Sequence, residues 1–275
     1  MSFAAGGTAD ALARLVAQRL QERRRWTVIV VNRPGGGGVV MQRALKRARP
    51  DGLTIGLGSS HELTYPAADS TEAPYGLMDF TYLASVANLP HCLVGRPADR
   101  LESVDAWKAY AARKGSISIG FTPPYEPMLA RLGNDLGITV VPVPFKGGAE
   151  MMTQVVAGNL DLAWSAGSHV GLEQAAKVKV YLALTPNRLP SYPGVPTARE
   201  FGTSVAVESR FIVLGASELP PAIAADLESA LRDALSEPAT QAFVRDRNLI
   251  PDLKTGAQLA QALGVEAENA RRVMR

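Results

Sequence analysis

The chain has 275 residues, 47% hydrophobic and 20% charged. That length is more than one hydrophobic core usually serves, and the composition excludes wholesale disorder, so two folded lobes are expected. The net charge of +3 hides ten Arg/Lys against two Asp/Glu in residues 1–50. Arg14, Gln18, Arg19, Arg23 and Arg24 fall on the polar side of one amphipathic helix, without aromatic interleaving or a zinc-finger or RNA-recognition signature, so no nucleic-acid partner is expected.

In chain order, residues Ala9 to about Arg25 have apolar positions at helical spacing. Thr27–Val31 is a β-branched run and predicts a buried strand. Asn32-Arg33-Pro34 and Gly35–Gly38 form a loop, Val39–Arg49 a helix, and Pro50-Asp51-Gly52 a stop and turn. Leu53–Gly58 is the next strand, and residues 60–78 are irregular. Thr81–Val86 and His91–Gly95 predict strands. Val104–Arg113 predicts a helix, Ser116–Gly120 a strand, Glu126–Leu136 a helix and Ile138–Val143 a strand. Ala149–Ala157 predicts a helix, Leu160–Ser165 a strand, Val170–Ala176 a short helix and Val178–Leu184 a strand. After a proline-rich stretch at 189–196 come strand Phe211–Leu214 and helices Pro221–Leu235, Pro238–Arg247 and Thr255 to near Arg272.

Such alternation predicts an α/β fold in which each lobe is a mostly parallel sheet flanked by helices. The three closing helices pad the first lobe, which gives residues 1–97 plus 211–275 as lobe 1 and residues 98–210 as lobe 2. Gly6-Gly7-Thr8-Ala9-Asp10 reads as the loop and cap that follow a strand, yet Ser2–Ala5 leaves little room for one of about five residues. Either the first helix opens the fold, or most of a first strand lies outside this sequence. Residues 1–7 carry neither the basic nor the apolar stretch of a secretory leader.

Catalytic constellations are missing from the pattern. Cys92 is the single cysteine, which excludes a disulfide framework and a cysteine-rich zinc site. His61, His91 and His169 have no metal-ligand spacing, so no metal is expected. His91 and Cys92 are adjacent on a strand and so point apart rather than forming a nucleophilic pair. No G-x-S-x-G elbow occurs. Gly35–Gly38 lacks the Lys-Ser/Thr of a phosphate-binding loop, and a flexible connection explains it. Gly6-Gly7-Thr8 precedes a helix whose N–H groups and dipole suit a carboxylate. His61 follows a strand end and is placed to line a cleft. Lys146 lies between a strand and a helix, at the edge where α/β ligands bind, although a solvated loop lysine is the plain alternative.

Six segments in order resemble one family, the Bug-type (TctC-like) solute-binding receptors of tripartite tricarboxylate transporters. They are Phe3-Ala4-Ala5-Gly6-Gly7-Thr8-Ala9-Asp10; Val31-Asn32-Arg33-Pro34 with Gly35–Gly38; Pro50-Asp51-Gly52-Leu53-Thr54; Val143-Pro144-Phe145-Lys146-Gly147-Gly148-Ala149-Glu150; Gly158-Asn159-Leu160-Asp161-Leu162; and Leu184-Thr185 with Tyr192-Pro193-Gly194-Val195-Pro196-Thr197 and Glu200-Phe201. The resemblance implies a two-lobed periplasmic-binding-protein fold of type II with a ligand cleft between lobes, no catalysis and no cofactor. It implies a small organic solute (a carboxylate, amino acid or aromatic acid), membrane transporter subunits as partners, a monomer and a periplasmic location. The missing leader is then expected upstream of this sequence.

By position, the resemblance implies a first wall of Ala5, Gly6, Gly7, Thr8 and Asp10 with Ser59, Ser60 and His61. The second wall would be Phe121, Thr122, Tyr125 and Glu126, then Lys146 and Gly147, with Asp161 and Ser165 nearby. Asp10 and Asp161 have a structural alternative, in the first helical turn and as a loop tie. The family's small Gly/Ser-rich loop stands here as Gly120-Phe121-Thr122-Pro123-Pro124-Tyr125-Glu126-Pro127. Its bulk and the Glu126 charge suggest a ligand that carries an apolar part or an amine. Two other classes stay open: a sensory binding protein that engages a signalling partner, and an α/β enzyme.

Overall fold

The computed structural model describes residues 1–65 and 75–273. In chain order the elements are α1 (Thr8–Arg24), α2 (Val39–Lys46), β1 (Ile55–Ser59), α3 (His61–Thr64), β2 (Thr81–Asn88), β3 (Cys92–Gly95), α4 (Val104–Lys114), β4 (Ile117–Phe121), α5 (Glu126–Leu136) and β5 (Val140–Pro144). They continue as α6 (Gly148–Ala157), β6 (Leu162–Ser165), α7 (Val170–Gln174), β7 (Lys179–Ala183), β8 (Arg210–Gly215), α8 (Pro221–Leu235), α9 (Pro238–Asp246), β9 (Ile250–Pro251) and α10 (Gly256–Val273). The stretch expected to be irregular at 60–78 contains α3 and a 3-10 turn at Leu77–Asp79, and its residues 66–74 lie outside the described residues.

The chain divides into two compact units. Unit 1 comprises Met1–Leu89 with Ser209–Glu268, and unit 2 comprises Pro90–Glu208 with Asn269–Arg275. Unit 1 holds a sheet in the order β1-β8-β2-β9. All its pairings are antiparallel, with Ile55 opposite Gly215 and Ser59 opposite Phe211 at the two ends of the β1–β8 ladder. The mostly parallel sheet expected here is therefore corrected. The late strand β8 inserts between β1 and β2 in the reverse direction, so two strands that run the same way never pair directly. Part of the core of this unit joins Met41 and Leu45 of α2, Phe80, Ile212 and Leu214 of β8, and Leu259 and Leu263 of α10.

Unit 2 holds a five-stranded sheet in the order β5-β4-β6-β3-β7. β4 pairs parallel with β5 and β6, as βαβ crossovers require, while β3 pairs antiparallel with β6 and β7. Cys92–Gly95 is thus a central strand of this sheet. Trp107, Ile117, Ile119, Met128, Leu129, Leu132 and Met151 are fully buried around it. Ser103 caps α4 by accepting from the Ala106 N–H at 3.1 Å.

The strand expected at Thr27–Val31 is not in a ladder. Its residues alternate between half-buried and exposed, but among the described residues no strand pairs with it. Its bonded end is Val31, whose carbonyl accepts from the Met1 nitrogen at 2.7 Å.

Candidate functional site

In unit 1, β1 ends at Ser59, and the loop at residues 4–7 is exposed ahead of α1. Gly6 has φ +87°, a conformation other residues adopt only with strain. Asp10 holds that turn. Its carboxylate accepts from the Gly6 N–H at 3.1 Å, from Asn32 Nδ2 at 2.9 Å and from two nitrogens of Arg14. The hydrogen bonds from Arg14, Asn32 and Gly6 lower its pKa to about 2. Asp10 is therefore an anionic brace for the loop, and the Gly6 N–H is committed to it.

Gly7 is the N-cap of α1 and offers no side-chain cap. The first bond of the helix runs from the Ala11 N–H to the Gly7 carbonyl. Among the described residues the N–H groups of Gly7, Thr8 and Ala9 have no protein acceptor. They form the positive end of a 17-residue helix beside an exposed loop. Ala5 is exposed in the same loop, and Thr8 is half-buried.

The second loop of this unit is more inward. Ser59 Oγ lies 2.7 Å from His61 Nδ1, and burial lowers the His61 pKa to about 4, so the ring is neutral at pH 7. Ser60 Oγ accepts from the Arg210 N–H at 2.9 Å, which ties the loop to β8. Sequence reasoning passed over Glu62, the next residue. Ser2 Oγ donates to it at 2.6 Å and Gln42 Nε2 at 3.0 Å. Gly38 and Gly58 press on it: a Cβ on Gly38 would meet its Oε2 at 2.4 Å, and one on Gly58 would meet it at 2.7 Å. Burial raises its pKa to about 7. The one available signal was a run of glycines, which mark backbone packed against a side chain.

In unit 2, Phe121 and Tyr125 turn into the interior, with 2% and 3% exposure. Tyr125 stacks on Trp164 at 4.5 Å, and the His91 ring meets it edge-on at 5.4 Å. Trp164 Nε1 donates to His91 Nδ1 at 3.0 Å, so His91 is a packed core histidine. Thr122 is half-buried and Glu126, the first residue of α5, is exposed. Lys146 is exposed just ahead of Gly147, the N-cap of α6.

Ser165 ends β6. Its Oγ lies 3.0 Å from Ser168 Oγ and 2.8 Å from His169 Nδ1. Ser168 is the exposed member of that chain and sits against Gly148, where a Cβ would meet its Oγ at 2.6 Å. It is a second residue that sequence reasoning missed; the signal was the Ser165-Ala166-Gly167-Ser168 run after a strand. Cys92 is buried 3.8 Å from His169 Nδ1, and burial pushes its thiol well above the ordinary range, so it is no thiolate nucleophile.

Asp161 is in the interior. Tyr110 donates to it at 2.6 Å, the Ser118 N–H and Oγ each at 2.8 Å, and Lys114 completes the set. Burial opposes its ionisation, but the bonds from Lys114, Tyr110 and Ser118 outweigh burial and hold the pKa below the usual carboxylate range. It ties α4 to β4 and to the start of β6. Among the described residues no group of three or more His, Cys, Asp or Glu could hold a metal.

Two helix-flanked sheets of this make are the fold of the solute-binding proteins of bacterial transport. A malate-bound MatC of Rhodopseudomonas palustris superposes with a TM-score of 0.85 at 23% identity, over 100% of this chain and 97% of that one. A second R. palustris protein, solved with adipate, gives 0.86 at 23% identity, over 99% and 93%. The model of the tripartite tricarboxylate transporter family receptor matches residues 12–274, and the chain belongs to that family. An Agrobacterium vitis protein described as a UPF0065 protein of the TAR-I ttuE-ttuC' intergenic region is 30% identical, over 98% of this chain and 81% of its own length. Family and fold are those of receptors rather than enzymes.

Proposed function

We propose that the chain captures a small carboxylate in the periplasm and hands it to the membrane subunits of a tripartite tricarboxylate-type transporter, with units 1 and 2 serving as the two lobes of the receptor fold. The observation that carries this reading is the set of N–H groups on Gly7, Thr8 and Ala9 without a protein acceptor. They meet an anion with hydrogen bonds and the helix dipole together, and no basic side chain is needed. The malate and adipate bound in the two R. palustris proteins support a carboxylate as the ligand. Ser59, Ser60 and His61, at the end of β1 in the same unit, complete the candidate wall of unit 1. On unit 2, Thr122, Glu126, Lys146 and Gly147 remain exposed or half-buried and are the contact candidates of this unit. Phe121, Tyr125, Asp161 and Ser165 act from the interior by fixing the backbone.

The test uses a donor deletion that leaves the helix intact. Proline suits the first helical position, and Gly7 (φ −87°, ψ 175°) is already in the region that precedes proline comfortably. Thr8→Pro therefore removes one N–H at little cost to α1. Titration calorimetry with malate and adipate is expected to give binding that Thr8→Pro weakens roughly ten- to a hundredfold, the range for a hydrogen bond to a charged group. Equal affinity for wild type and variant would remove the α1 terminus from the site. No heat with any carboxylate, and binding of an amine-bearing solute instead, would replace the ligand class.

A further inference from the structure

Ser168 ends a chain of hydrogen bonds that runs through unit 2. From the surface inward, Ser168 Oγ lies 3.0 Å from Ser165 Oγ, which lies 2.8 Å from His169 Nδ1. On the far side of the ring, His169 Nε2 lies 3.1 Å from the Tyr192 hydroxyl, and that hydroxyl donates to Glu173 Oε2 at 3.3 Å. Ser165 and His169 are 1% and 0% exposed, so the middle of the chain is closed to bulk solvent. Ser168 is exposed and lies against Gly148, the first residue of α6.

Glu173 sets the direction of the whole chain. A carboxylate only accepts, so the Tyr192 proton goes to Glu173. The Tyr192 oxygen then accepts from the His169 Nε2–H. Burial lowers the His169 pKa to about 4, so the neutral ring carries one N–H and Nδ1 is bare. Bare Nδ1 accepts from the Ser165 hydroxyl. The single Ser165 proton is thereby used, and Ser168 is the donor in the bond between the two serines. The opposite tautomer would turn the Tyr192 proton toward the ring and leave two oxygens, one anionic, facing each other at 3.3 Å. The Cys92 thiol does not disturb this order, since it donates to the Ser165 carbonyl at 3.6 Å.

A serine whose proton is held inward presents only lone pairs outward. Ser168 Oγ is therefore an acceptor on the surface of unit 2. Its neighbour Gly148 follows Lys146 and Gly147, the contact candidates of the site proposed above. A carboxylate oxygen finds no bond at such an atom, whereas a donor group does. Lys146 on the same loop disfavours an ammonium by like charge, so the matching donor is a neutral hydroxyl.

We propose that Ser168 is a specificity-determining acceptor that selects an acid carrying a hydroxyl over the same acid without one. The inference rests on the carboxylate-receptor reading. Tyr192 and Glu173 act through His169 and Ser165, as positioning residues that aim the Ser168 lone pairs outward. A site arranged to bond a hydroxyl rejects the analogue lacking it, because the acceptor is then left unpaired.

Two readouts test it. ¹⁵N NMR of the imidazoles at pH 7, without ligand, is expected to show His169 protonated at Nε2 and bare at Nδ1. Protonation at Nδ1 overturns the direction of the chain and the inference with it. Titration calorimetry is expected to give malate at least about tenfold tighter than succinate, which has the same carbon chain without the hydroxyl. Ser168→Ala is expected to bring malate down to the level of succinate. Tyr192→Phe keeps the ring and removes the link to Glu173. It is expected to shrink the preference for malate and to shift the His169 nitrogen signals, which a merely structural role would not do. Equal affinities of the wild type for malate and succinate overturn the inference and leave the receptor reading standing. A Ser168→Ala variant that weakens both acids alike overturns it as well, and so does aspartate binding more tightly than malate. No binding of any of these acids by the folded protein overturns the receptor reading, and the inference falls with it.

Discussion

Glu62 is the residue whose chemistry departs most from what its type suggests. Burial raises its pKa from the ordinary 4.5 to about 7, against the opposing pull of the bonds from Ser2, Gln42 and Ser59. A folded-state pKa above the unfolded one means that the folded state binds the extra proton. Its stabilising effect is complete below about pH 4.5 and is lost as pH rises through about 7, a change of about 3 kcal/mol. Glu62→Gln keeps the shape, and its amide can donate to Ser2 Oγ and accept from Gln42. The variant is expected to gain urea stability over wild type at pH 8, by about 2 kcal/mol, and to equal it near pH 4. Urea midpoints at pH 4, 6 and 8 check this, and a constant difference across the range would contradict it. Apart from the glycines that press on it, nothing in the sequence marks Glu62 as buried. Its neighbours in space, Ser2 and Gln42, lie far along the chain, and glycines 38 and 58 admit it by lacking side chains.

At the scale of elements, the motif Gly158-Asn159-Leu160-Asp161-Leu162 has a structural explanation. Asp161 fastens α4, through Tyr110 and Lys114, to β4, through Ser118. Asp161→Asn sets an N–H₂ against two of the four donors, whichever oxygen it replaces, and leaves at least one donor unpaired, so a loss of about 2 kcal/mol is expected, with the midpoint of chemical unfolding lowered. The depressed pKa adds a sign: the wild-type advantage is present above the ordinary carboxylate range and fades as pH falls through it. Malate affinity in Asp161→Asn equal to wild type fits an interior tie, and a large loss of affinity with unchanged stability would make Asp161 a ligand contact. Helices and most strands were legible because apolar spacing and Gly or Pro stops act locally, as at Glu126–Leu136 before Gly137. Strand direction was not legible, since β8 is inserted between β1 and β2 by a connection of over a hundred residues. Thr27–Val31 shows the converse: its β-branched pattern is real, but a ladder needs a neighbour that local pattern cannot supply.

For the whole molecule, the excess of ten basic over two acidic residues in residues 1–50 suggests an electropositive face that would draw anions in. Folding cancels much of it. Arg19 and Arg23 pair with Glu237, Arg24 with Asp226, Lys46 with Asp79, and Arg49 with Asp51. Asp226 and Asp233 of α8 and Glu237, the N-cap of α9, are laid against the basic face of α1 within unit 1. These pairs are mostly exposed and contribute little to stability, but they remove the long-range field. On the proposed reading, anion capture then depends on the short-range N–H donors of α1, which salt screens weakly. The association rate of malate is accordingly expected to fall by no more than roughly threefold between about 10 and 200 mM salt, a range over which the Debye length shrinks from ~30 to below 10 Å. Stopped-flow fluorescence from the tryptophans checks it. A fall of tenfold or more would restore electrostatic steering by the basic half, and Glu237→Gln, which frees Arg19 and Arg23, should then raise the rate further at low salt.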